Sequence, residues 1–219
     1  MRTLHAGIAA SALLASGIAL ATDWNAAGVR EVLNVASTRA VAAASKPGGF
    51  LDNPLIHIKP PKTVRKIGKA LRAIGMGQQV DELEVGMNRA AERASSEAKP
   101  VFVDSIKRMT LEDAVGIVRG GETAATDYFR GATEETLRAR FKPIVASSLA
   151  SVGARKQYDG LLARYRALPL AEPTNLDLDE YTTNKTLDGL FSLLAEEERK
   201  IRKDPAKRTT SLLRKVFGL

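Results

Sequence analysis

Residues 78–98, QQVDELEVGMNRAAERASSEA, decide the fold class of this chain. Apolar residues recur in this stretch at three- and four-residue spacing, which is the period of one face of an α-helix. The members of that face are Val80, Leu83, Met87, Ala90, Ala91 and Ala94. Because the second half of the face is alanine, a neighbouring helix can approach it closely. We therefore predict a helix that packs tightly against other helices.

The same helical period extends on both sides of this stretch. Residues 24–45 and 62–74 predict one helix each, and further apolar repeats follow residue 98, separated by glycine or proline. Thr110 can cap one of these helices, with Asp113 as an approximate capping box, a short helix carries Tyr128 and Phe129, and Thr133 caps the next one. The last helix begins at Asp204-Pro205. We count about nine helices with short connections, which predicts an all-α, single compact non-bundle domain over residues 22–219.

Two short stretches have the alternating pattern of a β-strand instead. Ile56 and Ile58 alternate with polar residues, and Asn53-Pro54 and Pro60-Pro61 disfavour a helix around them. Residues 176–179 alternate in the same way. The two stretches allow one short two-stranded ribbon beside the helices.

Residues 1–21 have the layout of a secretory signal peptide. The positive charge of Arg2 precedes an uncharged apolar stretch at 6–18, and Ala19-Leu20-Ala21 is a small-x-small cleavage site. The apolar stretch is shorter than the roughly 20 residues that a membrane-spanning helix needs. We expect an exported protein, cleaved after residue 21 and soluble in the periplasm or outside the cell.

The chain contains no cysteine, which excludes several classes of site and anchor. A lipoprotein needs a cysteine at its cleavage point, so we expect no lipid anchor of that kind. Disulfides, thiolate metal sites and cysteine nucleophiles are excluded as well. No second long apolar run follows the signal peptide, so we expect no transmembrane segment in the mature protein.

The net charge is +8, and it is unevenly distributed. Basic residues are concentrated at 62–72 and 199–215. Such clusters are typical either of solvated helix faces or of surfaces that contact anionic lipid or another envelope protein. Nucleic acid is not an expected partner, because aromatic residues for base stacking are few and an exported protein rarely meets it.

No recognisable catalytic, metal or cofactor motif is present. His57 is the one histidine outside the signal peptide, and a single histidine does not make a zinc site or a catalytic triad. The acidic residues at 177–180 lack the glycine and the distal glutamate of a calcium loop. We therefore predict no catalytic residues, no metal and no cofactor.

Asn88 and Glu92 are the polar pair of greatest interest. They are four residues apart, so they share one helix face at the edge of the apolar stripe. A polar pair in that position is often partly buried and must find hydrogen-bond partners. Two interpretations stay open: a polar spot in a ligand pocket, or a buried structural network that includes Arg89 or a distant arginine.

A binding cleft is our leading hypothesis for the site. It would lie between the alanine face of the Asn88 helix and a group of aromatic side chains, with arginines to hold an anionic head group. Its candidate residues are Asn88, Arg89, Glu92, Tyr128, Phe129, Arg130, Phe191, Arg199 and Arg202. An apolar, small-residue face with arginines nearby suits a small amphiphile.

Several blocks of sequence together resemble an exported bacterial family known as domain of unknown function 4197. The blocks are Gly49-Phe50, Asn53-Pro54, Met87-Asn88-Arg89-Ala90-Ala91-Glu92, Asp113-Ala114, Gly120-Gly121-Glu122-Thr123-Ala124-Ala125-Thr126-Asp127-Tyr128-Phe129-Arg130, Pro143-Ile144-Val145, Leu187-Asp188-Gly189-Leu190-Phe191, Glu198-Arg199-Lys200-Ile201-Arg202, Asp204-Pro205 and Val216-Phe217-Gly218. The resemblance covers nearly the whole mature chain. It implies a helical exported domain and brings no established activity.

Three functions remain open at this point. The first is a non-enzymatic periplasmic binding protein for a small anionic or amphiphilic ligand. The second is an envelope interaction or scaffold protein that uses its basic helices on anionic membrane or on a protein partner. The third is a hydrolase in which Glu92 is the acid/base and Asn88 orients the substrate, although catalysis needs a second group that the sequence does not show. An enzyme is therefore the least favoured of the three.

Overall fold

Eight α-helices make up the part of the chain that the structure describes. The computed structural model describes residues 10–73, 77–167 and 177–204, with their side chains except at 10–25, 67, 70, 71 and 73. The helices are α1 (Ala10–Ser45), α2 (Lys62–Ala73), α3 (Gly77–Ser95), α4 (Ala98–Arg108), α5 (Leu111–Arg119), α6 (Ala124–Ser151), α7 (Ala154–Arg166) and α8 (Leu178–Lys203). No strand is present in the three described ranges, so the all-α prediction is confirmed.

The number of helices differs slightly from the prediction of about nine. The predicted short helix around Tyr128 and the one predicted to begin at Thr133 are a single helix, α6, which also continues through Pro143. The helix predicted after Asp204-Pro205 lies outside the described residues.

The prediction of a two-stranded ribbon between 55–58 and 176–179 is wrong over the residues that are described. One carboxylate oxygen of Asp177 accepts hydrogen bonds from the amides of Asp179 and Glu180, at 2.9 and 3.0 Å. These bonds cap the first turn of α8, which an acidic residue at the N-cap position does well. The alternation of leucine and aspartate at this point therefore marks the start of a helix.

The cap at the start of α5 was predicted correctly. The hydroxyl of Thr110 accepts a hydrogen bond from the amide of Asp113 at 3.1 Å, and the Asp113 carboxylate accepts one from the Thr110 amide at 2.8 Å. This reciprocal pair is the capping box expected from the sequence, and it fixes the first turn of α5.

The core lies where α1, α3, α6 and α8 pack on one another. Its largest fully buried side chains include Phe102, Phe129 and Phe191. The ring centroid of Phe102 is 4.8 Å from that of Phe129 and 6.2 Å from that of Phe191. Burial of each such side chain contributes about 1.5–3 kcal/mol to folding, so this cluster is a major source of stability.

Two glycines allow elements to approach more closely than an alanine would. A Cβ at Gly86 would lie 2.9 Å from the Cβ of Ala154, so α3 and α7 meet closely there. A Cβ at Gly189 would lie 2.6 Å from the ring of Phe50. Gly189 therefore allows residues 46–61, which we call the 46–61 segment, to sit directly on α8.

None of the described helices combines the length and the apolar character that a membrane span requires.

Candidate functional site

Three polar side chains on one face of α3 turn towards the 46–61 segment. They are Glu84, Asn88 and Glu92, which are spaced four residues apart and therefore lie one above another along the helix. Each of them contacts a group of the 46–61 segment. The polar pair that the sequence singled out is thus part of a longer row.

Asn88 pairs with the backbone of Ile58 in the way that a neighbouring β-strand would. Its Oδ1 accepts a hydrogen bond from the Ile58 amide at 2.8 Å, and its Nδ2 donates to the Ile58 carbonyl at 2.9 Å. Asn88 is completely buried. The amide side chain therefore replaces the partner strand that the alternating pattern around Ile58 predicted, since buried backbone groups must be paired.

Glu92 holds the start of the same segment. Its Oε1 accepts hydrogen bonds from the amides of Phe50 and Leu51, both at 3.2 Å, and its Oε2 accepts one from Arg89 at 2.7 Å. The residue is only 5% exposed. Three donors satisfy this carboxylate, as a buried charge requires.

His57 lies between two acceptors. Its Nδ1 is 2.7 Å from the Leu51 carbonyl oxygen, and its Nε2 is 2.6 Å from Oε1 of Glu84. The contact with Glu84 holds the 46–61 segment against α3, and the contact with Leu51 joins two parts of the segment to each other.

Arg202 belongs to a second buried network, at the junction of α5, α6 and α8. Its guanidinium donates to Glu198 at 2.9 Å and to the Ile117 carbonyl at 3.1 Å. Glu198, which is 1% exposed, in turn accepts hydrogen bonds from the amides of Ala125 and Thr126 at the start of α6. This network ties the ends of three helices together.

The predicted aromatic lining is part of the core. Phe129 and Phe191 are fully buried with Phe102 between them, and the alanine face of α3 is completely covered. Tyr128 is half-buried beside Phe129, and that burial raises the pKa of its hydroxyl. Side chains therefore fill the space in which the sequence placed an aromatic cleft.

The other two predicted arginines lie in different surroundings. Arg130 is stacked over the Phe191 ring, 4.5 Å from its centroid, and is flanked by Glu134 and Asp188. Arg199 lines a separate groove. Of the nine candidates, the structure brings Asn88, Arg89 and Glu92 together, and places the aromatic residues with Arg130 in a second group.

A groove follows the exposed face of α3, and we call it the α3 groove. It consists of two adjoining cavities of about 650 and 510 Å³, and Arg89 and Val152 line both of them. The first is lined by Arg72, Gly77, Gln78, Asp81, Glu82, Val85, Gly86, Arg89, Val152 and Gln157. The second is lined by Ser45, Pro47, Arg89, Glu92, Arg93, Ser96 and Val152.

Two valines give this groove its apolar part. Val85 is 42% and Val152 is 43% exposed, and both belong to the small set of large apolar side chains that the described part of the chain leaves exposed. Neither valine is among the site residues predicted from the sequence. The position of Val85 does indicate that it is exposed, because it falls outside the apolar stripe of α3 and so points away from the core.

The acidic residues at the start of α8 are used separately. Asp177 caps the helix, Asp179 pairs with Arg155, and Glu180 pairs with Lys142. Burial raises the pKa of the Asp179 carboxyl, whereas the hydrogen bond from Lys142 lowers the pKa of Glu180. Over the described ranges, no three histidine or acidic side chains converge in a way that could hold a metal ion.

Comparison with known proteins connects the chain with one family. Searches of curated proteins and of solved structures gave no match. The family model described as "Protein of unknown function (DUF4197)" matches residues 19–218. Since that match spans nearly the whole chain, the protein belongs to this family.

Proposed function

We propose that this is an exported, non-enzymatic binding protein whose α3 groove takes a small amphiphile with an anionic group. The observation that carries the proposal is the pair of exposed valines, Val85 and Val152, lying in a groove that arginines also line. Ligand sites typically combine an apolar surface with a few polar groups in a cavity of roughly 300–1,000 Å³. Each of the two cavities of the α3 groove, at about 650 and 510 Å³, falls within that size range, and together they have that composition.

This site keeps part of the predicted cleft and replaces the rest. Arg89 and Glu92 line the groove as expected, but Val85 and Val152 take the place of the aromatic residues. Glu92 serves the groove by fixing Arg89 through their 2.7 Å hydrogen bond, and not as an acid or base. Its other two hydrogen bonds, from the amides of Phe50 and Leu51, hold the 46–61 segment in place.

Export is the second part of the proposal, and the sequence of residues 1–21 supports it. The test is the intact mass of the protein recovered from the periplasm of its own cells. Removal of residues 1–21 gives a mature protein that begins at Thr22. Recovery of the uncleaved chain in the cytoplasm would contradict this part of the proposal.

Native mass spectrometry of that periplasmic sample tests the binding role. We expect a stoichiometric amphiphile, to be identified after extraction. If only the apo mass is found, and added amphiphiles bind no more tightly than they do to an unrelated helical protein, the binding role fails.

An envelope interaction role is the second candidate, and α2 is the observation that favours it. The helix contains five basic residues and no acidic one. Lys62, Lys66 and Lys69 are exposed opposite the buried Val64. By contrast, Lys203 in the other predicted basic stretch pairs with Glu122.

Sedimentation with vesicles tests this second candidate. Binding to vesicles with anionic lipid should weaken steeply as salt is added, because the attraction is screened over about 10 Å at 0.1 M salt. Replacing the three lysines with glutamine should remove the binding. Indifference to anionic lipid would exclude a membrane partner and leave an envelope protein as the partner to seek.

A further inference from the structure

We propose that the α3 groove binds a single-chain amphiphile in one orientation, with its anionic head group beside Arg89 and Arg93 and its alkyl chain over Val85 and Val152. The inference rests on the proposed function and adds to it the class of ligand, its direction and the residue that selects the head group.

The end of the α3 groove beside Asp81 and Glu82, which we call the far end, carries a net negative charge. Arg72 donates two hydrogen bonds to the Asp81 carboxylate, at 2.5 and 3.1 Å, so these two charges cancel. Glu82 accepts hydrogen bonds from the uncharged amides of Gln78 and Gln157. One negative charge is therefore left at this end, and it repels an anionic head group.

The opposite end, beside Arg93, which we call the near end, carries a net positive charge. Arg89 and Glu92 neutralise each other across 2.7 Å. Arg93 is exposed, and within the described part of the chain its guanidinium makes one long, 3.4 Å contact, with the uncharged hydroxyl of Ser151. One positive charge is left over, and its forked donors suit a phosphate or carboxylate.

Hydroxyl groups complete the near end. Ser45, at the end of α1, and Ser96, just after α3, line the same cavity as Arg93. The Ser96 hydroxyl already donates to the Arg93 carbonyl at 2.8 Å, so Ser45 is the serine whose hydroxyl can donate to an anionic oxygen. This end therefore combines a cation with a neutral donor.

The apolar part lies between these two ends. Along α3, Val85 follows the acidic residues at 81–82 and precedes Arg89, while Val152 faces the helix from the start of the α6–α7 connection. A Cβ at Gly86 would lie 3.1 Å from Cγ2 of Val152, so the lack of a side chain there allows Val152 to lie close against α3. The exposed face from Gln78 to Ser96 is about 27 Å long, at 1.5 Å per residue, which suits one extended chain.

Three amphiphiles with the same tail test the orientation and the head-group preference. Dodecyl phosphate, dodecyl maltoside and dodecyltrimethylammonium are titrated into the mature protein by calorimetry, below their micelle concentrations. We expect dodecyl phosphate to bind about tenfold more tightly than the maltoside, because a charge-assisted hydrogen bond is gained. The ammonium compound should bind most weakly at the Arg93 end.

Two variants separate the head from the tail. Arg93→Gln should make dodecyl phosphate and dodecyl maltoside bind equally, while Val85→Asp should weaken both of them. Lys66→Gln, an exposed cation of α2 that does not line the groove, is the control for the loss of charge. Leu111→Asp, an equally exposed apolar residue of α5, is the control for the added acid. Circular dichroism of each variant verifies the fold.

The outcomes distinguish this inference from the function on which it rests. If no dodecyl compound binds, the proposed function fails and the inference fails with it. If all three bind equally, or if Arg93→Gln leaves the preference for phosphate intact, the binding role stands and the orientation is wrong. If Lys66→Gln abolishes the preference and Arg93→Gln does not, the head group binds at α2 and the inference is overturned.

Discussion

Glu198 and Thr126 are 72 positions apart in sequence, and the Glu198 carboxylate accepts hydrogen bonds from both the amide and the hydroxyl of Thr126, at 2.9 and 2.8 Å. The N-cap residue of α6, Thr123, makes no side-chain hydrogen bond to the amides of its own helix. A helix start that lacks such a cap needs another acceptor for its free amides. Glu198 supplies that acceptor from α8.

Removal of the Glu198 charge should therefore be costly. We expect Glu198→Gln to lower the free energy of unfolding by about 3 kcal/mol, because a buried charged acceptor is lost and Arg202 loses its ion pair with that carboxylate. Urea unfolding measures the change. Glu196→Gln on the same helix, whose partner Lys200 is exposed, should change the value by less than about 0.5 kcal/mol. Equal effects of the two variants would contradict the capping role.

Asn88 should stabilise the 46–61 segment through Ile58. We expect Asn88→Ala to lower the free energy of unfolding by about 2–3 kcal/mol, because two buried backbone groups lose their partner. Hydrogen exchange should also become faster at the Ile58 amide. Asn34→Ala, at an exposed position of α1, is the matched control and should have little effect. Unchanged exchange at Ile58 would show that the pairing contributes nothing.

Two glycine substitutions should have opposite signs. Gly86→Ala places a methyl group 2.9 Å from the Cβ of Ala154, so we expect a loss of about 1–3 kcal/mol from overpacking. Gly131→Ala, inside α6 with no heavy atom within 4 Å of the added methyl, should stabilise the protein by about 0.5–1 kcal/mol. Thermal unfolding of both variants tests the close approach of α3 and α7, which a gain from Gly86→Ala would refute.

Asp179 and Glu180 should make opposite contributions to the dependence of stability on pH. Burial raises the pKa of Asp179 in the folded protein, so its contribution is largest at low pH and is lost as the pH rises through that pKa. Lys142 lowers the pKa of Glu180, so its contribution is present at neutral pH and is lost as the pH falls through the folded pKa.

The variants Asp179→Asn and Glu180→Gln measure how each carboxyl group changes the stability of the protein with pH. Between neutral pH and about pH 4, near the ordinary carboxyl values, the stability of the wild type relative to Asp179→Asn should increase as the pH falls. Relative to Glu180→Gln, it should decrease, with a small amplitude because the pair is exposed. Urea unfolding at a series of pH values gives both differences. Parallel slopes for the two variants would rule out the assignment.

The helices could be predicted from the sequence because the patterns that indicate them are local. The apolar stripe around Met87 and the capping box of Thr110 and Asp113 each involve residues within a few positions of one another. The alternating stretches misled the prediction for a physical reason. A period of two also arises where a helix begins at Asp177, and where a side chain such as Asn88 replaces the partner strand.

The candidate site could be predicted only in part, because it depends on contacts between residues that are far apart in the sequence. The pairing of Arg89 with Glu92 follows from their spacing on one helix, and so does that of Arg202 with Glu198. The hydrogen bond that Glu92 accepts from the amide of Phe50 joins residues 42 positions apart, so no local sequence pattern predicts it. Val152 became part of the groove only because α6 and α7 meet beside α3.

The way in which α3 holds the 46–61 segment has an evolutionary consequence. Asn88 and Glu92 bind the segment by its main-chain amides and carbonyls, which every residue other than proline provides in full. Substitution of an outward-facing residue such as Leu55 leaves those bonds intact. An insertion or deletion would move Ile58 out of register with Asn88. The segment should therefore tolerate drift in composition at its exposed positions, while selection keeps its length constant.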